Sequence, residues 1–287
     1  MLYGAHVSSA GGISTAIDRA EELGCDAVQI FTQSPQMWKP TVHSDEQVAR
    51  FRERREEAGI EAVVCHALYL VNLAGADKEL HRKSVIAMRA SMETAAAIGA
   101  DGVVFHVGSH LGKGLAAGYR RGVPALRQLL ELTNDRLWLV LENAAGAGST
   151  MGRSVDELAV FFERLDRHER LGICLDSCHW WVSGVDVTSP DALDQALGEL
   201  DESIGLDRLC CLHVNDAAAA LASNRDRHAL RRTGRGVGAE VDHEPNATVA
   251  AWISTCSRRA WRTSASRRTA RVRRGTGRPA ASRGTTR

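Results

Sequence analysis

No stretch of this chain is apolar for the roughly 18 residues that a membrane span requires, so no membrane partner is expected. The opening residues, MLYGAHVSSAGG, hold neither a basic cluster nor a long apolar run, and no secretion signal is predicted. No two cysteines stand in a CxxC spacing, which argues against a zinc ribbon. The seven cysteines (Cys25, Cys65, Cys174, Cys178, Cys210, Cys211, Cys256) are odd in number and mostly lie in apolar runs. Reduced, buried thiols in a cytoplasmic protein fit that pattern better than a disulfide framework. Lysine is absent from residues 229–287, which carry 14 Arg against only Glu240, Asp242 and Glu244. The first 228 residues are the reverse, with 22 bases against 32 acids, so the net charge of +1 hides two differently composed pieces.

What is present is an alternation. The runs LYGAHV, DAVQIF (26–31), AVVCH (62–66), GVVFH (102–106), LWLVLEN (137–143), LGICLD (171–176) and RLCCLHVND (208–216) read as strands. Helical faces lie between several of them: Val85, Met88, Met92 and Ala96 form one, and Leu158, Phe161, Phe162 and Leu165 another. Ser44 with Gln47, and Ser154 with Glu157, have the spacing of capping boxes; Ser189 and Pro190 start a further helix. Seven such units in 287 residues predict a TIM (β/α)8 barrel, a fold of about 250 residues with its active site at the C-terminal strand ends. The eighth unit is the exception. TVAAWIST, near residue 250, is a poor strand, and the eighth β/α unit is read as lost or replaced by an Arg-rich tail. A barrel so truncated would leave two bare strand edges.

Polar residues end the strands in phase with the fold. His66, His106, Glu142, Asp176 and His213 follow one another at intervals of 40, 36, 34 and 37 residues, the length of one strand–helix unit. His179 stands three residues after Asp176, and Asp226 and His228 sit in the loop SNRDRH. Carboxylates with neutral imidazoles suit zinc or manganese, and eight donors overfill one tetrahedral ion, so two or three ions are the simpler reading. Each residue has a plainer alternative: a lone strand-end histidine is usually a hydrogen-bonding residue, and SNRDRH reads as a solvated turn. His43, His81, His168 and His243 lack the phase and read as surface residues, while His110 stays ambiguous.

GAHVSSAGG, CHALYLVNL, FHVGSH, LENAAGAG, GICLDSCH and HVND…DRH, in order from about residue 3 to 228, resemble the successive motifs of the endonuclease IV family. The resemblance implies a TIM barrel that binds three zinc ions and cuts duplex DNA 5′ to abasic sites, leaving a 3′-hydroxyl. It implies a first ion on His66, His106 and Glu142, a second on Glu142, Asp176 and His213, and a third on His179, Asp226 and His228, with Glu142 the catalytic bridge. It also implies that Tyr69, Leu70 and Gln36 meet the DNA at the lesion. Gln36 stands where the family has an arginine, Ala218 where it has a lysine, and no glutamate of an eighth strand is recognisable. A cytoplasmic monomer is expected.

The domain expectation is therefore a barrel over 1–228 and a disordered arm over 229–287. That arm is read either as a phosphate-binding extension or as the product of a shifted reading frame; the abrupt end of the resemblance favours the second. Two other functions compete. A sugar isomerase or epimerase on a related barrel would use only Glu142, Asp176 and His213 for one ion. A C-terminally damaged remnant would bind without cutting.

Overall fold

Why the site sits where it does follows from the order of elements. A computed structural model describes residues 1–229 and 249–252 of the chain. Its elements run β1 (Leu2–His6), α1 (Thr15–Glu22), β2 (Ala27–Phe31), α2 (Asp45–Glu57), β3 (Ala62–His66), α3 (Lys78–Ala97), β4 (Gly102–Phe105) and α4 (Leu115–Leu130). They continue with β5 (Trp138–Glu142), α5 (Val155–Arg164), β6 (Leu171–Asp176), α6 (Ser177–Ser183), α7 (Pro190–Ser203), β7 (Leu209–Val214) and β8 (Val249–Trp252). The strands close into a barrel in that order, with β1 to β7 running parallel to one another. Among the described residues, no helix is long and apolar enough to cross a membrane.

The helices bury one stripe each, and on α3 the predicted Met88 and Met92 lie in it while the predicted Val85 and Ala96 are only partly buried at its edge. The α3 stripe is Ser84, Ala87, Met88, Ser91, Met92 and Ala95, and Asp77 caps the helix start by accepting from Leu80 N at 2.9 Å. Ser44 and Gln47 form a reciprocal capping box on α2. The Ser154–Glu157 pair differs. Ser154 accepts from Glu157 N, but the Glu157 carboxylate turns back to Gly152 N at 2.9 Å and Arg153 Nε at 2.9 Å, fixing the loop before α5 instead.

Inside the barrel, side chains stack in layers because strand residues two apart share a face. Gln29, His66, Glu142, Asp176 and His213 end one layer at the mouth, and each has an apolar or sulfur residue two positions earlier. That lower layer is Ala27, Val64, Val140, Cys174 and Cys211, joined by Val104 below His106. β7 reaches this phase through an irregularity. Ile173 pairs with Leu209 but Cys174 pairs with Cys211, so one extra residue, Cys210, is inserted and His213 is brought opposite Asp176.

The eighth position corrects the expectation of an open barrel. Val249–Trp252, within TVAAWIST, pairs antiparallel with both β1 and β7. Two of its four residues are alanines, weak strand formers; the bare N–H and C=O groups of the two edges supply the pairing. The parallel eighth β/α unit is not restored, and β8 brings no carboxylate. The remainder of the expected arm, 230–248 and 253–287, lies outside the described residues.

At the base of the barrel, Asp101 joins three elements. Its carboxylate accepts from Val63 N at 2.9 Å, Arg55 Nη2 at 3.1 Å and Arg136 Nε at 3.0 Å. Asp101→Ala would leave the largely buried Arg55 without its anion, and is expected to cost about 3 kcal/mol. A thermal melt should show Tm falling by roughly 6–12 °C; an unchanged Tm would mean the network contributes nothing.

Candidate metal centre

Eight donors from five strand ends, one helix and one loop meet at the barrel mouth. β3 ends on His66 and β5 on Glu142, while His106 follows β4 directly. Asp176 is both the last residue of β6 and the N-cap of α6, accepting from His179 N at 2.9 Å. That cap fixes His179 in the first turn of α6, a short helix that the sequence reading did not resolve. Asp226 and His228 arrive differently. The segment after β7 folds back as a narrow hairpin, with an Ala217–His228 bridge and Ala218 N donating to Arg227 O at 2.8 Å. Asn224 N donates to Val182 O at 2.8 Å, pinning the hairpin to α6. A turn that reads as solvated in sequence is thereby held over the cleft.

Glu142 is the hub. Its buried carboxylate stands 3.1 Å from His66 Nε2, 3.4 Å from His106 Nε2, 3.5 Å from His179 Nδ1 and 2.9 Å from His213 Nδ1. Three sets drawn wholly from these eight donors close to within 4.8 Å of one another: His66–His106–Glu142, Glu142–Asp176–His179 and His179–Asp226–His228. The first and third are the sets that the family resemblance implies. In the second, His179 takes the place expected of His213, though His213 Nδ1 is also 4.0 Å from Asp176 Oδ2. These residues surround a cleft of about 300 Å³.

Burial drives the Glu142 carboxyl up, but His106 and His213 outweigh it and hold it well below the usual carboxylate range. Desolvation at the cleft floor brings His106 down to about 4, despite Glu142. It also works against charge on His179, yet the Asp226 hydrogen bond and the Asp176 and Glu142 charges lift that imidazole to about 9. His213 is raised well above its ordinary value, burial being overcome by Glu142. Protonated His179 and His213 thus balance the carboxylates. A cation entering the cleft displaces those protons, so its uptake weakens as pH falls.

The donor set fits a borderline divalent cation. His66 Nδ1 donates to Ala67 O at 2.7 Å, which leaves Nε2 as the free lone pair facing Glu142. His213 is oriented the other way: its Nε2 lies 2.8 Å from Gln29 Oε1, leaving Nδ1 toward Glu142. His228 Nε2 is buried without a hydrogen bond although Asp226 Oδ1 is 3.3 Å away, a misfit that an ion between them would relieve.

Several supporting residues escaped the sequence reading. Gln29 and Asn143 are almost fully buried. Gln29 orients His213 and contacts His6 Nδ1 at 3.1 Å, while Asn143 O is 2.9 Å from His179 Nδ1. Asn143 Oδ1 also accepts from Asp176 N at 2.6 Å, and Asn215 Nδ2 donates to Asp176 Oδ2 at 2.6 Å. His6 was readable as a strand-end residue and lines the cleft with a buried, unpartnered Nε2. His110 stays outside the donor sets; its Nδ1 accepts from Gly114 N at 3.0 Å and shapes a loop. His43 and His168 likewise make local bonds, to Thr32 O at 2.8 Å and from Arg170 N at 3.2 Å, rather than lying free on the surface.

On the rim, Tyr69 and Leu70 follow β3 and are 60% and 36% exposed. The Tyr69 ring packs edge-on against Phe31 at 5.2 Å and lies 5.6 Å from His66, directly beside the donors. Gln36 is exposed on the loop after β2.

Fold and site together place the chain in a class: a family model described as a xylose isomerase-like TIM barrel matches residues 17–245. Relatives narrow it. A protein described as probable endonuclease 4 from Halothermothrix orenii is 39% identical over 80% of this chain and 82% of its own length. One from Halorhodospira halophila with the same description is 41% identical over 83% and 80%. The crystal structure of endonuclease IV from Thermus thermophilus superposes with a TM-score of 0.70 at 38% identity, covering 80% of this chain and 81% of that one. The chain belongs to the endonuclease IV family. A D-tagatose 3-epimerase-like protein at 19% identity and a TM-score of 0.57 shares the barrel alone.

Proposed function

We propose that this chain is a DNA-repair endonuclease that hydrolyses the phosphodiester bond 5′ to apurinic/apyrimidinic sites in duplex DNA. The products are a 3′-hydroxyl and a 5′-deoxyribose phosphate. The observation that carries the reading is the pairing of one acid facing four imidazoles with an exposed aromatic–aliphatic step, Tyr69–Leu70, on the adjoining rim. A one-ion isomerase has no use for His66, His106 and the Asp226–His228 hairpin together.

In this reading His66, His106, Glu142, Asp176, His179, His213, Asp226 and His228 hold three zinc ions. When bound, such ions supply positive charge to the phosphate and to the attacking water. The chain's own residues do the rest. Glu142 joins the donor sets and fixes their spacing; Gln29 and Asn143 orient His213 and His179. Tyr69 and Leu70 fill the space left by an extruded abasic nucleotide, which has little stacking to lose. Gln36 offers the DNA a neutral amide rather than a cation. The catalytic domain comprises residues 1–228 with β8 completing its wall.

The test is cleavage of a duplex carrying one abasic-site analogue by the purified chain, with zinc measured in the same sample. Incision 5′ to the lesion, lost on chelation and restored by added zinc, is expected. An intact duplex in the presence of a zinc-loaded, folded protein would overturn the proposal and favour a non-cutting remnant.

A further inference from the structure

Beneath the cleft floor lies a group of donors that the proposed reaction does not use. Cys174 on β6 and Cys211 on β7 are register partners, and neither is accessible to solvent. They are paired by the insertion at Cys210; without it Cys174 would face a different residue. Both occupy the layer under the mouth, two positions before Asp176 and His213. Their sulfur atoms and a ring nitrogen of His213 lie within 4.8 Å of one another. The other members of that layer, Ala27, Val64, Val104 and Val140, offer no oxygen donor from their side chains.

We propose that Cys174, Cys211 and His213 form a binding site for a thiophilic divalent cation such as Cd²⁺ or Hg²⁺, which takes His213 away from the cleft when filled. The geometry needs little adjustment. At the zinc–sulfur distance of ~2.3 Å two thiolates on one ion at a tetrahedral angle stand ~3.8 Å apart, and a larger cation sets them somewhat wider, toward the 4.8 Å within which these donors lie. The charge also closes. Each thiol and the His213 imidazolium release a proton to solvent, and two thiolates with the resulting neutral imidazole cancel a dication, so no net charge is left in the apolar layer.

Softness separates this group from its neighbours, since thiolates select soft cations and the carboxylate–imidazole cleft prefers harder ones. His213 connects the two. Its Nδ1 is 2.9 Å from Glu142 Oε1, and its ring lines the cleft, which gives an ion a route past it to the sulfurs. An imidazole committed to the sulfur site is withdrawn from Glu142.

The first experiment titrates Cd²⁺ into the metal-free full chain and follows thiolate-to-cadmium charge-transfer absorption. One thiolate-bound ion per chain is expected in the parent and in Cys178→Ala, whose sulfur belongs to a separate group with Asp176 and His228. The signal should be lost in the Cys174→Ala/Cys211→Ala variant. No signal in the parent, or an undiminished one in the double variant, overturns the site. If circular dichroism shows that the double variant does not fold, ¹¹³Cd NMR of the parent decides. A resonance characteristic of two sulfur ligands supports the site, and only oxygen–nitrogen resonances overturn it. A second arm rests on the nuclease reading: Cd²⁺ should slow abasic-duplex cleavage by the parent more than by the double variant. Equal slowing overturns the sharing of His213. The spectroscopic arm uses no DNA, so failure of the site and failure of the nuclease reading give different results.

Discussion

Replacing Glu142 by glutamine is expected to slow cleavage of an abasic-site duplex by on the order of 10³-fold or more, with the barrel still folded. Loss of a group that merely orients a ligand or a donor already costs roughly 10- to 1,000-fold in such sites, by the same order-of-magnitude reasoning. Glu142 does more than orient. Among the described residues it is the one acid within 3.5 Å of four imidazoles, and two of the three carboxylate–imidazole sets include it. Glutamine keeps its volume and can still meet His66 and His213, so the core has no cavity to collapse into. What it loses is charge: an amide oxygen is a weak metal donor, and its nitrogen is none. At least one bound metal equivalent should disappear with the activity. Single-turnover gel kinetics and metal analysis on one preparation check both; a rate within tenfold of the parent would remove Glu142 from the reaction.

Gly4→Ala is expected to destabilise the fold by about 3 kcal/mol or more, through a cause unrelated to chemistry. Gly4 lies buried in β1, paired with Ala27 on one side and Ala250 on the other. A Cβ at this position would overlap the Ala27 carbonyl oxygen and lie 2.5 Å from its carbon. Those are backbone atoms in a parallel ladder, so relief requires moving β1 against β2 at the seam where the barrel closes. Gly24 is the comparison: its φ of +67° disfavours alanine, but no atom lies within 4 Å, and about 1 kcal/mol is expected there. A Tm for Gly4→Ala no lower than that of Gly24→Ala would show that the seam yields easily.

Much of this architecture was legible in the sequence because two periods run in phase. Residues two apart share a strand face, and strand–helix units repeat at nearly constant length. His66, His106, Glu142, Asp176 and His213 could therefore be grouped before any geometry was known. Asp226 and His228 were candidates by residue type but stood outside the strand–helix spacing; the family resemblance gave them a shared ion, and their hairpin is held by backbone bonds to α6 that no side-chain pattern encodes. Helix α6 was hidden because Asp176 serves as both strand end and cap. Gln29 and Asn143 were passed over because an amide is not a metal donor, although both act on residues that are. β8 was misjudged for a different reason. Propensity is a property of VAAW, whereas the demand for its backbone belongs to β1 and β7. The Cys174–Cys211 pairing depends on one inserted residue, and a one-residue register shift leaves no mark in composition.

The reversed direction of β8 also decides which of its two ends stands at the barrel mouth. Val249 pairs with Ala5 and Val214 at the mouth, whereas Trp252 pairs with Leu2 and Cys211 toward the base. Ala229, held by Asp216, also lies beside the mouth. The two described ends that flank residues 230–248 are thus both on the mouth side, and in sequence that interval holds Arg231, Arg232, Arg235 and all three of the late acids. The other eleven arginines of this part follow Trp252 in sequence and lie outside the described residues. A parallel eighth strand would have turned Trp252 rather than Val249 toward the mouth, so the strand's direction alone decides which of its ends adjoins the donor residues.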